Sequence, residues 1–410
     1  MTQLLFTPYF SLFILAQPGG SPETLGIVAS VKTISFIIIT PIAGLLTDTK
    51  GRVTLITLGT VLHAVTYLFY VFANDVTMII LGSFAEGLSL IHLPALRAIT
   101  HESLHPRTKG LGLSATTGLE SLPRVIAPFL GGILTEWIGI DQGMRIGFSL
   151  GFVVGLLVAF IRYRFLRETL QTPLETSIKL SQIVNVFQTS YANMLHLLRE
   201  YISLRGLVLV AALNSFFAAL TAQFWIVYAQ NVIGASTTEW GLIEMIVAPY
   251  TIMILLFSGK LVDRYGRKRI ILLCLAFAPG MVLVFLFSAN FFTLLVFRLG
   301  LATLNSFMLP ATTAIISDIV PSQSRGRAFA AVGMVPITIS LDSSASGFYM
   351  FFPSITGSIA SGFIYSFNSQ LPWILLTMGY IIQFSLSWLT IKEPQQDQFS
   401  KGSAQGKENN

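Results

Sequence analysis

Charge is what this chain has least of. Only 11% of its 410 residues are Asp, Glu, Lys or Arg, and 53% are apolar. Soluble domains carry roughly 25% charged residues, so a water-facing globular surface is excluded. Cysteine is nearly absent too: Cys274 stands alone, which rules out an intrachain disulfide framework and a thiolate metal site. Its expected role is core packing. The sequence has no phosphate-binding glycine loop, His-Glu-x-x-His pair or serine nucleophile elbow. Neither ATP-driven work nor an enzyme is therefore expected, and no cofactor.

What is present is apolar length, with a mean hydropathy of +0.72. Runs near the 20 residues that a helix needs to cross about 30 Å of hydrocarbon recur along the chain. They predict twelve crossings, over about 3–17, 22–46, 53–73, 76–99, 112–137, 144–163, 206–231, 238–260, 270–288, 291–316, 328–366 and 371–391. The expected fold class is an all-α polytopic membrane protein.

The net charge of +6 forms no single basic patch of the kind nucleic acid requires. It falls in alternate connections: Lys50 and Arg52; Arg107 and Lys109; Arg162, Arg164, Arg167, Lys179, Arg199 and Arg205; Lys260 to Arg269; Arg325 and Arg327. The other side has Arg145 alone. By the positive-inside rule the basic connections and both termini are expected in the cytoplasm, with the protein multi-pass in the plasma membrane.

One signature is written twice, as Gly44-Leu45-Leu46-Thr47-Asp48-Thr49-Lys50-Gly51-Arg52 and as Gly259-Lys260-Leu261-Val262-Asp263-Arg264-Tyr265-Gly266-Arg267-Lys268. The repeat continues, since Pro94, Ala98, Glu102 and Lys109 lie at the same offset as Pro310, Ala314, Asp318 and Arg325. The chain therefore reads as a six-helix bundle over 1–164, a cytoplasmic linker with surface helices over 165–205, a second bundle over 206–391 and a disordered tail over 392–410. Aligned on the repeat, Met1 falls about ten residues inside a helix of full membrane length, so a truncated first helix is expected. The eleventh crossing exceeds the fifth by about nine residues around Leu341 to Gly347, which predicts a break or bulge.

Two six-helix halves, a basic linker and the motif Gly-x-Leu-x-Asp-Arg-x-Gly-Arg-Lys after the second and eighth crossings resemble the major facilitator superfamily over nearly the full length. The second copy matches throughout. The first departs at Thr49 and Val53, where the family usually places bases. Ala127-Pro128-Phe129-Leu130-Gly131-Gly132 is similar to the Gly-Pro-x-x-Gly-Gly element of antiporter members, with Ala127 for the first Gly. Arg298, near the outer end of the tenth crossing, resembles the family's Arg in the corresponding motif of the fourth, a position that Gly82 occupies in the first half of this chain.

The resemblance implies a monomeric secondary transporter in the lipid bilayer, driven by a proton or ion gradient and moving a small organic solute by alternating access. Proton-coupled efflux of a drug-like or amphipathic compound is the leading expectation. Uptake of a sugar or organic anion is the rival, and a receptor or scaffold without transport is the alternative of another class.

In each signature turn, Gly44 or Gly259 is expected to admit a close neighbouring helix, and Asp48 or Asp263 to cap the helix that follows. The bases after them, Arg52, Arg264, Arg267 and Lys268, are expected to tie the two halves together and close a cytoplasmic gate. The competing reading is that they only fix orientation.

Charges at membrane depth each cost at least about 2.5 kcal/mol at a helix centre and must face protein or water. Glu86 lies mid-way along the fourth crossing and is the first choice for a proton site. Glu120 and Arg124 share a face of the fifth and could join it in a cluster, or neutralise each other and pin packing. Lys32 and Glu244 are placed nearer the outer face. Asn214, Gln223, Trp225 and Tyr228 offer polar and aromatic groups to a cavity between the halves, with a membrane-interface role for Trp225 left open. Asp342 lies in the unusual eleventh crossing, as a cation or proton site or as part of a solvated loop. His92 is read as packing or capping. Trp137, Trp240, Trp373 and Trp388 are read as interfacial anchors.

Overall fold

The computed structural model describes residues 5–49, 51–105, 109–170, 198–199, 201–321, 324–341 and 347–391. Among them the chain is helical, with twelve helical passes in the order of the apolar runs. Pass α1 is Phe10–Ala16, entered through a 3-10 turn at Thr7–Tyr9. Then follow α2 (Pro22–Thr49), α3 (Arg52–Val71), α4 (Val76–Ser103), α5 (Lys109–Ile138) and α6 (Ile140–Phe165). The second bundle holds α7 (Leu204–Ile233), α8 (Thr237–Tyr265), α9 (Arg267–Leu286), α10 (Phe291–Ile319), α11 and α12 (Leu371–Thr390). Pass α11 is split into Arg325–Val332 and Phe348–Phe367.

Among the described residues, nine helices are long and apolar enough to span a membrane. The others depart for reasons visible in the chain: α1 is short, α5 carries Lys109, Glu120, Arg124 and Glu136, and the 20-residue piece of α11 is diluted by Ser, Gly and Thr. The break in α11 shows as irregular backbone over 333–341, adjoining the extra residues from Leu341 to Gly347, of which 342–346 lie outside the described residues. Unwound backbone at this depth needs partners. Asn214 on α7 supplies them by donating to Thr338 O at 3.0 Å and accepting from Thr338 N at 2.9 Å, while Asn305 on α10 accepts from Ile339 N at 3.2 Å. A second interruption, at 222–224 of α7 with a π-turn at Ala229–Ile233, was not legible in the pattern of apolar residues.

Each bundle has an aromatic centre. In the first, Phe10, Phe13, Tyr67 and Tyr70 surround Phe148, with ring centroids 4.9 to 6.1 Å from it. In the second, Trp225, Tyr228, Phe285 and Trp373 pack at 4.5 to 5.7 Å. Trp373 and Trp240 are buried, at 0% and 2% exposure, so they are core residues and not interfacial anchors. Trp137 and Trp388 are exposed, as an interfacial place requires. Cys274 is buried in apolar packing.

The bundles meet at the end opposite the basic turns. Tyr9 Oη donates to Pro128 O at 2.6 Å and reaches Thr237 O at 3.2 Å; Thr237 Oγ1 donates to Gly132 O at 3.0 Å, and Thr238 N to Glu136 at 3.0 Å. On the other side of the seam, Ser366 bonds Glu23 and Ser30 Oγ lies 3.3 Å from Ile355 O. Glycine makes this approach possible: a Cβ on Gly131 or Gly132 would overlap the Leu5 or Thr237 carbonyl. The Pro128-Phe129-Leu130-Gly131-Gly132 element is thus part of a helix seam closing this end.

At the basic end the expected contacts differ. A Cβ on Gly44 or Gly259 would meet open space, so neither admits a close helix here. The N-caps of α3 and α9 are Gly51 and Gly266, at φ +88° and +91°, and Asp263 does not cap α9. The reason is register, since Asp263 still belongs to the preceding helix α8. Asp263 is exposed, and the side chain of Asp48 lies outside the described set.

Among the described residues the bases tie helices within a bundle and not across the seam. Arg52 pairs with Glu102 and donates to Thr169 Oγ1 at 2.9 Å; Arg267 pairs with Asp318; Lys268 donates to Trp388 O at 2.8 Å; Arg264 lies over the Tyr265 ring. Each bridges neighbouring or adjoining segments of one repeat unit, which is why the pairing recurs in both halves. The linker beyond residue 170, with its expected helix over 180–198, lies outside the described residues except for its last turn, as does the tail from 392.

Candidate functional site

Between the bundles lies a cavity of about 710 Å³. Its walls are largely apolar and aromatic, from Phe6, Phe10, Phe148, Trp225, Ile226, Trp240, Val247 and Leu301 among others. Into this wall the structure sets two ion pairs. On the first bundle, Lys32 Nζ of α2 lies 2.8 Å from Glu86 Oε1 of α4. On the second, Arg298 of α10 grips Glu244 of α8 through Nη2 to both carboxylate oxygens at 2.7 Å and through Nε at 2.9 Å.

Those helices sit at equivalent places in the two repeats, and the partners are 54 residues apart in both. The signs are reversed: base on α2 and acid on α4, then acid on α8 and base on α10. Lys32 and Glu244 lie in the first halves of α2 and α8, which begin at the end opposite the basic turns. Each points inward to the cavity because a buried partner on the next helix holds it, and that contact, 54 residues away, has no signal in local sequence.

Glu86 is 4% exposed and fully engaged. Besides Lys32 it accepts from Tyr70 Oη at 2.8 Å. Among the described side chains the base paired with Glu86 is Lys32. Arg124 is exposed and lines the same cavity. Glu120 lies on α5 with its side chain outside the described set, and Asp342 lies outside the described residues altogether.

Gln223 and Trp225 line the cavity as expected, with Ser11 Oγ 3.4 Å from Gln223 Oε1 across the two bundles. Trp225 is buried at 3% exposure, which excludes the interfacial belt. Asn214 and Tyr228 do not line the cavity. Asn214 is spent on the unwound segment of α11 and on Gln383, and Tyr228 on the aromatic centre of the second bundle.

Sequence reasoning missed a polar ladder behind Glu86. Tyr70, Tyr67 and His63 descend α3, spaced three and four residues apart, which is one helix face. His63 Nδ1 lies 2.8 Å from Ser89 Oγ, and Tyr67 Oη lies 3.3 Å from His63 Nε2. The spacing was available as a signal. His92, with Nδ1 2.8 Å from Ser89 O, is buried within α4.

The arrangement can hold a solute with an apolar body against aromatic walls, with ionisable groups in reach. Among the described residues no group of His, Cys, Asp and Glu is disposed to hold a metal ion.

Known proteins place the fold. The profile of the Major Facilitator Superfamily matches residues 1–254 and 207–408. Multidrug resistance protein 2 of Bacillus subtilis is 24% identical over 389 residues, covering 92% of this chain and 88% of that protein. A homologue of the multi-drug resistance efflux pump PmrA from Lactococcus lactis is 23% identical over 338 residues, covering 80% and 78%. Among solved structures, a bacterial homologue of the iron transporter ferroportin in an inward-facing state superimposes with a TM-score of 0.70 at 15% identity, covering 96% and 97%. The profile spans both repeats, and the chain belongs to the major facilitator superfamily.

Proposed function

We propose that this transporter exports small amphipathic organic compounds in exchange for protons, with Glu86 as the proton-carrying group. The observation that carries the reading is the Lys32–Glu86 pair in the cavity wall. Lys32 is 39% exposed on its side chain and Glu86 only 5%. A proton on Glu86 dissolves the ion pair and releases the ammonium to cavity water, so proton binding changes both the charge and the shape of the wall. Export is supported by the relatives named as multidrug resistance proteins and efflux pumps.

Orientation follows from charge. With the Lys- and Arg-bearing turns in the cytoplasm, the seam around Tyr9, Gly132 and Thr237 lies on the outer side and the basic turns face inward. Rocking of the two bundles then exchanges which end is closed.

The test is flux. Proteoliposomes holding the purified protein are given an imposed pH gradient and the dye ethidium. Dye movement opposite to the proton, lost on collapse of the gradient, is the expected result. Movement in the same direction as the proton would make it a symporter, and flux indifferent to the gradient would remove proton coupling.

A further inference from the structure

The ladder behind Glu86 fixes where hydrogens must lie. Ser89 donates its hydroxyl to the Glu86 carbonyl at 2.6 Å, and a serine has only that one hydrogen to give. The 2.8 Å contact of Ser89 Oγ with His63 Nδ1 is therefore His63 donating. Neutral His63 must be the Nδ1–H tautomer, which leaves the lone pair on Nε2. The atom facing that lone pair is Tyr67 Oη, 3.3 Å away, and Tyr67 lines the central cavity.

We propose that His63 Nε2 is a second proton site, filled and emptied from the cavity through the Tyr67 hydroxyl. The transfer balances. Hydronium in the cavity gives a proton to Tyr67 Oη while the phenol's own hydrogen passes to Nε2. The phenol stays neutral, water is left behind, and the imidazolium donates from both nitrogens, Nδ1 to Ser89 and Nε2 to Tyr67. Release runs the same steps backward.

The groups around the imidazole come from every neighbouring helix. Glu86 and His92 lie on α4, the latter with its ring centroid 6.3 Å away. Lys32 lies on α2, and Arg162 on α6, donating to Thr60 Oγ1 at 2.6 Å. Tyr67 and Tyr70 share α3. Ionised Glu86 is the one negative neighbour of these, opposed by Lys32 and Arg162. A proton on Glu86 removes the attraction that favours the imidazolium, so Glu86 and His63 titrate as a coupled pair. This rests on the reading of Glu86 as the proton-carrying group, and gives that proton a place to go when the Lys32–Glu86 pair re-forms.

The test reads the imidazole directly. In protein with nitrogen-labelled histidine, reconstituted in lipid discs, the His63 signal is identified among five histidines by its loss in His63→Gln. The expected spectrum shows the Nδ1–H tautomer at high pH, converting to imidazolium as the pH is lowered. Tyr67→Phe keeps the ring packed on Phe148 and removes the hydroxyl, so proton exchange at His63 slows at least about tenfold while exposed His101 is unchanged. An Nε2–H tautomer, a His63 that never titrates, or exchange unaffected by Tyr67→Phe would each overturn the proposal. None of these readouts needs dye flux. Absence of ethidium movement strikes the transport reading alone, and a silent His63 in a protein that does exchange ethidium for protons strikes this inference alone.

Discussion

The two bundles solve one problem in opposite ways. Each buries an acid and a base between its second and fourth helices, 54 residues apart. In the first bundle the base is a lysine with one contact to its acid and 39% of its side chain exposed. In the second it is an arginine with three contacts and 10% exposed. Lysine is a point charge on a flexible stem, whereas the arginine fork fits a carboxylate rigidly. The first pair is held by fewer contacts than the second, as the proposed switch on one wall and a clamp on the other require.

Glu86→Gln breaks the switch. The amide keeps the Tyr70 hydrogen bond but cannot release a proton, and ethidium flux driven by a pH gradient is expected to fall at least about 10²-fold. Stability should change little, because Lys32 can turn toward cavity water. Unaltered flux in this variant would remove Glu86 from the mechanism.

Glu244→Gln breaks the clamp and should reverse the pattern. Arg298 is left largely enclosed without its counter-charge, at a cost of about 3 kcal/mol, the scale for orphaning one partner of a buried pair. The readout is a lower Tm in detergent or lipid discs, larger than that of Glu86→Gln measured alongside. Equal losses in the two variants would mean that the pairs do not differ in kind.

Much of this architecture could be read before the structure. Twelve apolar runs, alternate basic turns and the doubled signature are local or periodic features, and each reports backbone environment directly. The break in α11 was legible because nine or so residues cannot be added to a membrane helix without displacing it. Pairings were not. Nothing within a turn of Lys32 reveals Glu86, and Asp263 looked like a cap because α8 runs to Tyr265, past the expected end at 260, and so keeps the aspartate inside the helix. Trp373 looked like an anchor from its place near a helix end, yet the aromatic centre of its bundle claims it. The polar face of His63, Tyr67 and Tyr70 was visible as spacing, but only the position of Ser89 gives it direction.

Lys32→Arg sharpens the comparison from the other side. It gives the first bundle the base used in the second. If the fork grips Glu86 more firmly by about 1.4 kcal/mol, opening becomes roughly tenfold rarer. Flux should drop by that order while Tm holds or rises. A variant that transports at the original rate would show that breaking the Lys32–Glu86 pair does not limit turnover.

The smallest expected difference lies at the basic turns, where the halves again diverge. Glu168 reaches back from the segment after α6 to the start of α3 and accepts from Val53 N at 3.0 Å, with Leu170 N and Thr169 N on its other oxygen at 3.0 and 3.1 Å. Partial burial pushes its carboxyl up, but the N–H groups of Leu170, Val53, Arg52 and Thr169 outweigh this and hold it below the ordinary value. Among the described residues the Gly266 turn of the second bundle has no side-chain cap on α9. A depressed carboxyl contributes stability above its unfolded pKa, near 4.3, and loses it as pH falls through the lower folded value. Because Glu168 is exposed, solvent screening limits the effect to less than about 1 kcal/mol. Amide exchange at the start of α3 should therefore quicken at most about fivefold in Glu168→Gln at neutral pH, and in the parent below about pH 4. The start of α9 should respond to neither change. Equal quickening at both turns would mean that the carboxylate is not what holds the first one.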